Sequence, residues 1–193
     1  THATDLALVQ RATAAGANLI DIVAYPFITD LDKVLETNPV AGWGKYDRRL
    51  KIGGVKITSD GSPQGRTAYF TTPYLTGGPG GEKDWRGEPT FPEAMLREMV
   101  KKVYELGVPL NYHANGDAAI DMLLRAHEWA AADDPRKERN VTVIHAQQAD
   151  RRPPLQVQFA QRRPAGEALA VARHQQDVRR GRRRVAGELP GQD

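Results

Sequence analysis

Residues 1–150 alternate between short apolar runs and segments with helical spacing, and this alternation restricts the chain to few folds. Apolar runs predict strands at residues 18–25, 53–58, 108–113 and 140–145, the first of them as a buried strand. Helical spacing predicts helices over 5–15, 31–36, 91–106 and 117–132, and Gly107 ends the third of these. The repeated strand–helix order predicts a parallel sheet, in either a barrel or a doubly wound arrangement.

The composition narrows the class of protein. Of the 193 residues, 40% are hydrophobic, which is enough for a packed core. An apolar run of about 18 residues is missing, so no membrane span is predicted. The chain has no cysteine, so a metal would have to be held by histidine, carboxylate or modified lysine. The first residue is Thr1 rather than Met, which indicates a processed or truncated start.

The character of the sequence changes after Asp150, which predicts a domain over 1–150 and a basic low-complexity tail over 151–193. Residues 1–150 carry 17 Lys and Arg against 20 Asp and Glu, a net −3, whereas the tail carries 10 Arg against 4 acidic residues, a net +6. Out-of-frame translation of a GC-rich gene is the favoured explanation, and a disordered tail is the alternative. A nucleic-acid-binding arm is disfavoured, because Phe159 is the tail's only aromatic residue.

Three polar residues lie in or at the ends of predicted strands: Lys56, His113 and His145. In a barrel of parallel strands such residues point to one mouth, where two histidines suit a zinc-like ion. A charged lysine inside an apolar strand is costly to bury. From its chemistry alone, Lys56 either extends to solvent, pairs with a carboxylate such as Asp60, or is carboxylated, and the ion pair is favoured over the carbamate.

The loops that follow these strands carry further candidates. Asp60 and Arg66 lie in a glycine-containing loop, and Arg66 is suited to clamping a substrate carboxylate. Asp117 is expected to cap the following helix close to the site, after the turn formed by residues 115–116. Each of these residues also fits an ordinary structural role in a strand–helix connection. His127 is expected to be a surface residue of the helix over 117–132.

Three motifs together resemble the amidohydrolase superfamily, in its amidohydrolase family 3 branch. They are Gly54–Ile57 with residues 60–68 and Pro73–Tyr74, then His113–Asp121, then Val143–Gln147. The resemblance covers about residues 1–149, with the motifs in order and each at a strand end. It implies a (β/α)8 barrel of the triosephosphate isomerase type, of which this chain holds about strands three to six, followed by an irregular Arg-rich tail.

The resemblance also implies a chemistry: hydrolysis of amide-like, non-peptide C–N bonds by a metal-activated water. Lys56, as a carbamate formed with CO2, and His113 and His145 match the family's metal ligands. One or two divalent ions are implied, with zinc expected. Arg66 and Asp60 are the predicted substrate-binding residues and Asp117 a structural residue near the site. The expected partner is a small-molecule substrate. We expect no association with a membrane, and binding of nucleic acid is not favoured. Assembly into an oligomer is left open, and a cytoplasmic location is favoured.

The chain also departs from the family pattern. It contains no His-x-His, which the family carries at the end of strand one, and the family's strand-eight Asp has no counterpart. A complete barrel takes about 250 residues. We therefore expect a partial chain that is inactive in isolation. The alternative function is a non-catalytic binding module with a basic nucleic-acid-binding tail.

Overall fold

The computed structural model describes residues 1–132 and 140–148, together with the backbone of 170–171. Its helices are α1 (Ala3–Ala14), α2 (Leu31–Thr37), α3 (Glu93–Leu106) and α4 (Asp117–Ala132). Its strands are β1 (Ile22–Ala24), β2 (Leu50–Ile52), β3 (Val55–Thr58), β4 (Leu110–Ala114), β5 (Val141–His145) and β6 (Ala170–Val171). Single 3₁₀ turns occur at Ile28–Asp30 and Val40–Gly42.

The strands pair in parallel and in chain order. β1 pairs with β2, and β3, β4, β5 and β6 follow one another across a four-stranded sheet. A parallel bridge between Phe27 and Lys56 joins the two groups, because the chain just after β1 runs beside β3. β2 and β3 thus lie one after the other beside β1 and its continuation, and β4, β5 and β6 each lie next to the strand that precedes them in the sequence.

The core lies on one face of the sheet. Residues alternate between buried and half-exposed along β3, β4 and β5, so the two faces differ sharply. The buried face packs in one apolar cluster with α3 and α4, to which the sheet contributes Val55, Ile57, Leu110, Tyr112, Val141 and Val143. The opposite face stays half-exposed and carries polar side chains. This arrangement leaves the polar face of the sheet open toward the candidate site.

The predicted helices agree closely with the structure. Asp117–Ala132 has the predicted bounds, and Gly107 ends α3 in the left-handed conformation, at a φ of 68°. The first strand was predicted too long and too buried: Leu19 is 90% exposed and Ile20 71% exposed. The reason is that hydrogen bonding to the neighbouring strand begins only at Ile22, whose N–H donates to Arg49. The strand β2 was not predicted.

His127 was predicted at the surface, and this prediction is wrong. Its side chain is 9% exposed and contacts the Tyr104 hydroxyl through Nδ1, between α3 and α4. The buried surface of α4 is therefore wider than the charged residues next to His127 in the sequence indicate. No helix in the described ranges is long and apolar enough to cross a membrane.

The predictions for residues 151–193 lie outside the described residues, apart from the backbone of β6. Ala170–Val171 pairs in parallel with β5, with Thr142 opposite Ala170 and Val143 opposite Val171. The tail thus contains one short strand within a segment that was predicted to be irregular throughout.

Candidate functional site

The ends of β3, β4 and β5 bring the predicted site residues to one edge of the sheet. Thr58 pairs with His113, His113 with Ile144, and Ala114 with His145. Lys56 lies two residues before Thr58 on the same half-exposed face, since side chains alternate along a strand. Two histidines and a lysine from three adjacent strands therefore share this edge.

The rings of His113 and His145 are in contact. Their centroids are 4.6 Å apart at an interplanar angle of 72°. Regular alternation would place His145 on the buried face with Val141 and Val143. Instead His145 has a φ of 76°, a left-handed conformation that is rare outside glycine. This local backbone strain accompanies the contact of the His145 ring with His113 on the opposite face.

Lys56 is half-buried, and burial lowers its pKa to about 8. The predicted alternative of an ion pair with Asp60 does not form in the described part of the chain, where the Asp60 carboxylate faces His113 instead. The amine of Lys56 is consequently neutral in a substantial fraction of molecules near pH 8, which is unusual for a lysine.

His145 favours its neutral form. Its pKa is lowered by desolvation first, and then by the positive charges of His113 and Lys56. Lys56 lies on the same half-exposed face, two residues before Thr58, which pairs with His113. A neutral imidazole is the form that binds a metal ion.

Asp60 organises the turn that follows the neighbouring strand. Its side chain is fully buried, and its oxygens accept the N–H groups of Tyr69 at 3.0 Å, Asn115 at 2.9 Å and Gly116 at 2.8 Å. These bonds tie the end of β4 to the loop after β3. The geometry favours a structural role for this carboxylate, and direct contact of Asp60 with a substrate stays a prediction.

The Nε2 atom of His113 faces two acceptors, the Gly61 carbonyl at 3.2 Å and the Asp60 carboxylate at 3.5 Å. Asn115 Nδ2 lies 3.2 Å from the same nitrogen, but it also donates to Gly61 at 2.7 Å. Two acceptors at Nε2 favour a proton on that nitrogen, which leaves the lone pair of His113 on Nδ1. Sequence reasoning missed this role of Asn115; its signal is a polar residue two positions after a strand-end histidine.

Arg66 is held inside the loop that follows β3. Its φ is 57°, its guanidinium lies 3.5 Å from the Gly77 carbonyl, and its own carbonyl accepts a 2.6 Å bond from the Trp85 indole. These contacts place Arg66 between two parts of a long loop, with its side chain partly exposed. Its predicted role as a substrate clamp stays a prediction.

Asp117 fixes the same loop to the start of α4. It is the first residue of that helix, and its carboxylate accepts bonds from the Thr71 N–H at 2.9 Å, the Thr71 hydroxyl and the Ala118 N–H. Gly116 precedes it, and a Cβ at that position would lie 1.8 Å from the Tyr69 carbonyl oxygen. Asp117 was expected to cap α4, but it is the first residue of the helix, and its carboxylate joins the loop at Thr71 to the start of the helix.

Comparison with known proteins gives the family. The model of the amidohydrolase family matches residues 1–185. The chain belongs to the amidohydrolase family. It is 28% identical over 130 residues, 65% of its length, to the protein named "Putative amidohydrolase YtcJ" from Bacillus subtilis strain 168, of which the match covers 23%.

Two solved structures are similar to this amidohydrolase chain. An uncharacterized metal-dependent hydrolase from Pyrococcus furiosus is 29% identical with a TM-score of 0.57, and the match covers 74% of this chain and 27% of that protein. An uncharacterized metal-dependent hydrolase from Pyrococcus horikoshii OT3 is 28% identical with a TM-score of 0.56, and the match covers 74% of this chain and 26% of that protein. The chain therefore spans about a quarter of the length of these relatives.

The described side chains of this amidohydrolase segment include donor groups that suit a divalent metal, but too few of them to hold one. Two imidazoles in contact and a lysine with a lowered pKa are suitable donors. Within residues 1–132 and 140–148, however, no group of three histidine, aspartate or glutamate side chains is placed to hold an ion. The described residues thus supply part of a coordination sphere.

Proposed function

We propose that this chain forms the strand-end metal site of a metal-dependent hydrolase that cleaves amide-like, non-peptide C–N bonds. The contact between His113 and His145 carries the proposal, since it brings two imidazoles from adjacent parallel strands to the open face near Lys56. Family membership and the metal-dependent relatives support a hydrolase. The substrate is proposed to be a small molecule.

We further propose that the segment is part of a (β/α)8 barrel and supplies about strands three to six. The parallel strands in chain order support this assignment, because a doubly wound sheet reverses its strand order at a switch point and a barrel does not. In a barrel the half-exposed face of β3, β4 and β5 would be the interior, and the ends that carry His113 and His145 would form the mouth.

In the proposed site, His113 would bind through Nδ1, while Asp60 and Gly61 fix the proton on Nε2. His145 would contribute a neutral imidazole, and Lys56 an oxygen ligand after carboxylation. The bound ion, expected to be zinc, supplies Lewis acidity and lowers the pKa of water. Arg66, at the edge of the loop, is proposed to bind an anionic group of the substrate.

Carboxylation of Lys56 is consistent with its surroundings. The reaction requires the neutral amine, whose nitrogen adds to the carbon of CO2 and loses one proton to give a carbamate. Burial lowers the pKa of Lys56 to about 8, which increases the fraction of neutral amine at physiological pH. The carbamate is anionic, and it would offset the positive charge that lowers the pKa of His145.

We propose that the isolated chain binds a divalent ion weakly and does not turn over a substrate, because the described donors are incomplete. Titration of the full chain with Co²⁺, followed by visible absorption, tests the binding. Histidine ligation is expected to give d–d bands that are lost in His145→Asn and in His113→Asn. The control His2→Asn removes an exposed histidine bonded to Asp30 and is expected to keep the bands.

Bands that persist in both His113→Asn and His145→Asn would contradict the proposed site. Hydrolysis of simple N-acyl compounds by the metal-loaded 193-residue chain would contradict its proposed inactivity. Binding of nucleic acid, assembly into oligomers and a cytoplasmic location stay predictions.

A further inference from the structure

The strand that carries Lys56 is interrupted by two glycines. β2 and β3 run along the same side of β1, separated by Gly53 and Gly54. Ala24 pairs with Ile52, whereas Phe27 pairs with Lys56. The chain advances three residues from Ala24 to Phe27 but four residues from Ile52 to Lys56. One extra residue therefore lies between β2 and β3.

The hydrogen bonds show the same extra residue. Gly53 N–H donates to the Ala24 carbonyl at 2.8 Å. In a regular parallel ladder the next N–H directed to this side would belong to residue 55. Instead Val55 donates across the other side to Pro109 at 2.8 Å, and Lys56 donates to Pro26 at 2.8 Å. The pattern is that of a β-bulge at Gly53–Gly54.

This bulge reverses which residues face the core. Before it, the buried residues are Leu50 and Ile52, and after it they are Val55 and Ile57. An unbroken strand would place every second residue on one face, so Lys56 would join Leu50 and Ile52 in the core. With the extra residue, Lys56 lies instead on the half-exposed face that carries the site.

Both glycines are required by their surroundings. Gly54 has a φ of 152°, and a Cβ at this position would lie 2.2 Å from the Pro109 carbonyl oxygen. A Cβ at Gly53 would lie 2.5 Å from Val23 Cγ1. The facing chain also fits the bulge. The bulge interrupts the hydrogen-bond ladder opposite Pro26, and proline has no N–H that this interruption would leave without an acceptor.

We propose that the Gly53–Gly54 bulge places Lys56 in the site, with Gly54 as its positioning residue. Without the bulge the same sequence would direct the amine into the apolar core and Ile57 toward the site. The inference rests on the proposed function only in assigning Lys56 to the metal site; the orientation itself requires neither metal nor substrate.

Single-cysteine labelling tests the orientation, since the 193-residue chain has no cysteine of its own. Lys56→Cys and Ile57→Cys are prepared in the full chain and labelled with a maleimide under native conditions, with circular dichroism as the check on folding. Cys at 56 is expected to react at least about tenfold faster than Cys at 57, because the latter is buried. Deletion of Gly54 is expected to reverse this order, and an unchanged order would overturn the proposal.

A second pair of variants decides the matter if the deletion prevents folding. Gly54→Ala introduces the Cβ that meets Pro109, whereas Gly16→Ala adds a Cβ at another left-handed glycine with no atom within 4 Å. The ratio of the two labelling rates is expected to fall at least about threefold in Gly54→Ala and to stay unchanged in Gly16→Ala. An unchanged ratio in both variants would overturn the proposal, whatever the outcome of the Co²⁺ titration.

Discussion

At the scale of single residues, the candidate site depends on a carboxylate that is not among the proposed metal ligands. Asp60 joins the loop after β3 to the turn before α4 through three backbone N–H groups. It also lies 3.5 Å from the ring nitrogen of His113 that is expected to carry the proton. The position of the imidazole and the conformation of two loops therefore depend on one buried side chain.

Asp60→Asn is expected to destabilise the chain by about 2 kcal/mol, because an amide keeps one acceptor and turns an NH2 group toward backbone donors. The free energy of unfolding in urea measures the effect. Asp84→Asn is the matched control, since Asp84 is exposed and has a φ of 59° that asparagine tolerates. Equal stability of the two variants would contradict the structural role of Asp60.

At the scale of elements, α3 and α4 are joined by charged side chains as well as by the apolar core. Glu93 accepts bonds from Arg97 at 2.6 Å and from Arg125 at 3.1 Å, and Arg125 also pairs with Asp121. These hydrogen bonds lower the pKa of Glu93, and the bond from Arg125 is the largest cause. We therefore expect the stability of the helix pair to depend on pH.

Since the pKa of Glu93 is lower in the folded chain, its contribution to stability is present above its ordinary pKa of 4.5. This contribution is lost as pH falls through the lowered folded value. Glu93→Gln is expected to reduce stability by about 1 kcal/mol at pH 7, and the difference from the parent chain is expected to vanish in acid. Thermal melts from pH 7 to pH 3 measure this, with the exposed Glu98→Gln as the control. A difference that does not change with pH would contradict the assignment.

The turn before β2 is a strained element. Arg48 and Arg49 have φ values of 43° and 74°, and Asp47 and Leu50 on either side exchange two backbone hydrogen bonds of 2.9 Å. Two consecutive positive φ values favour glycine or asparagine. Arg49→Gly is therefore expected to raise the free energy of unfolding by about 1 kcal/mol.

Arg49→Ala is the control for this turn. It removes the same exposed ion pair with Asp21 but keeps a side chain at the strained position. Thermal melts of the two variants separate the backbone effect from the charge effect. Equal melting temperatures would show that the left-handed conformation does not limit stability.

Sequence reasoning identified the helices because their signals are local. Gly107 and the apolar spacing of residues 91–106 define the end of α3 without any distant partner. It missed the break between β2 and β3, since a bulge is defined by the hydrogen-bond partners in neighbouring strands. The burial of His127 and the bonds from Asn115 and Gly116 to Asp60 were missed for the same reason, because these partners lie more than twenty positions away in the sequence.

At the scale of the whole molecule, charge is divided unevenly along the sequence. Residues 1–150 carry a net −3 and residues 151–193 a net +6. The first part carries the motifs of the candidate site, and the second falls almost entirely outside the described residues. The overall positive charge of the chain is therefore no guide to the charge around the site.

The positive charge of the tail favours binding of nucleic acid, whereas its lack of aromatic residues other than Phe159 disfavours it. We expect no affinity of the full chain for single-stranded RNA at about 0.15 M salt, because arginine without stacking aromatic side chains gives only weak, salt-sensitive contacts. Fluorescence anisotropy with a labelled oligonucleotide measures this. The control replaces Arg182, Arg183 and Arg184 with glutamine; an affinity that this variant loses would support the alternative function of a binding module.

The order of the strands bears on how the protein is made. Each described strand from β2 to β6 pairs with a segment that precedes it in the chain; for β3 that segment is the chain just after β1, not β2. As the polypeptide leaves the ribosome, each described strand after β1 therefore meets a partner that has already been translated. Synthesis itself can add the sheet's strands one at a time, with the growing edge as the template for the next.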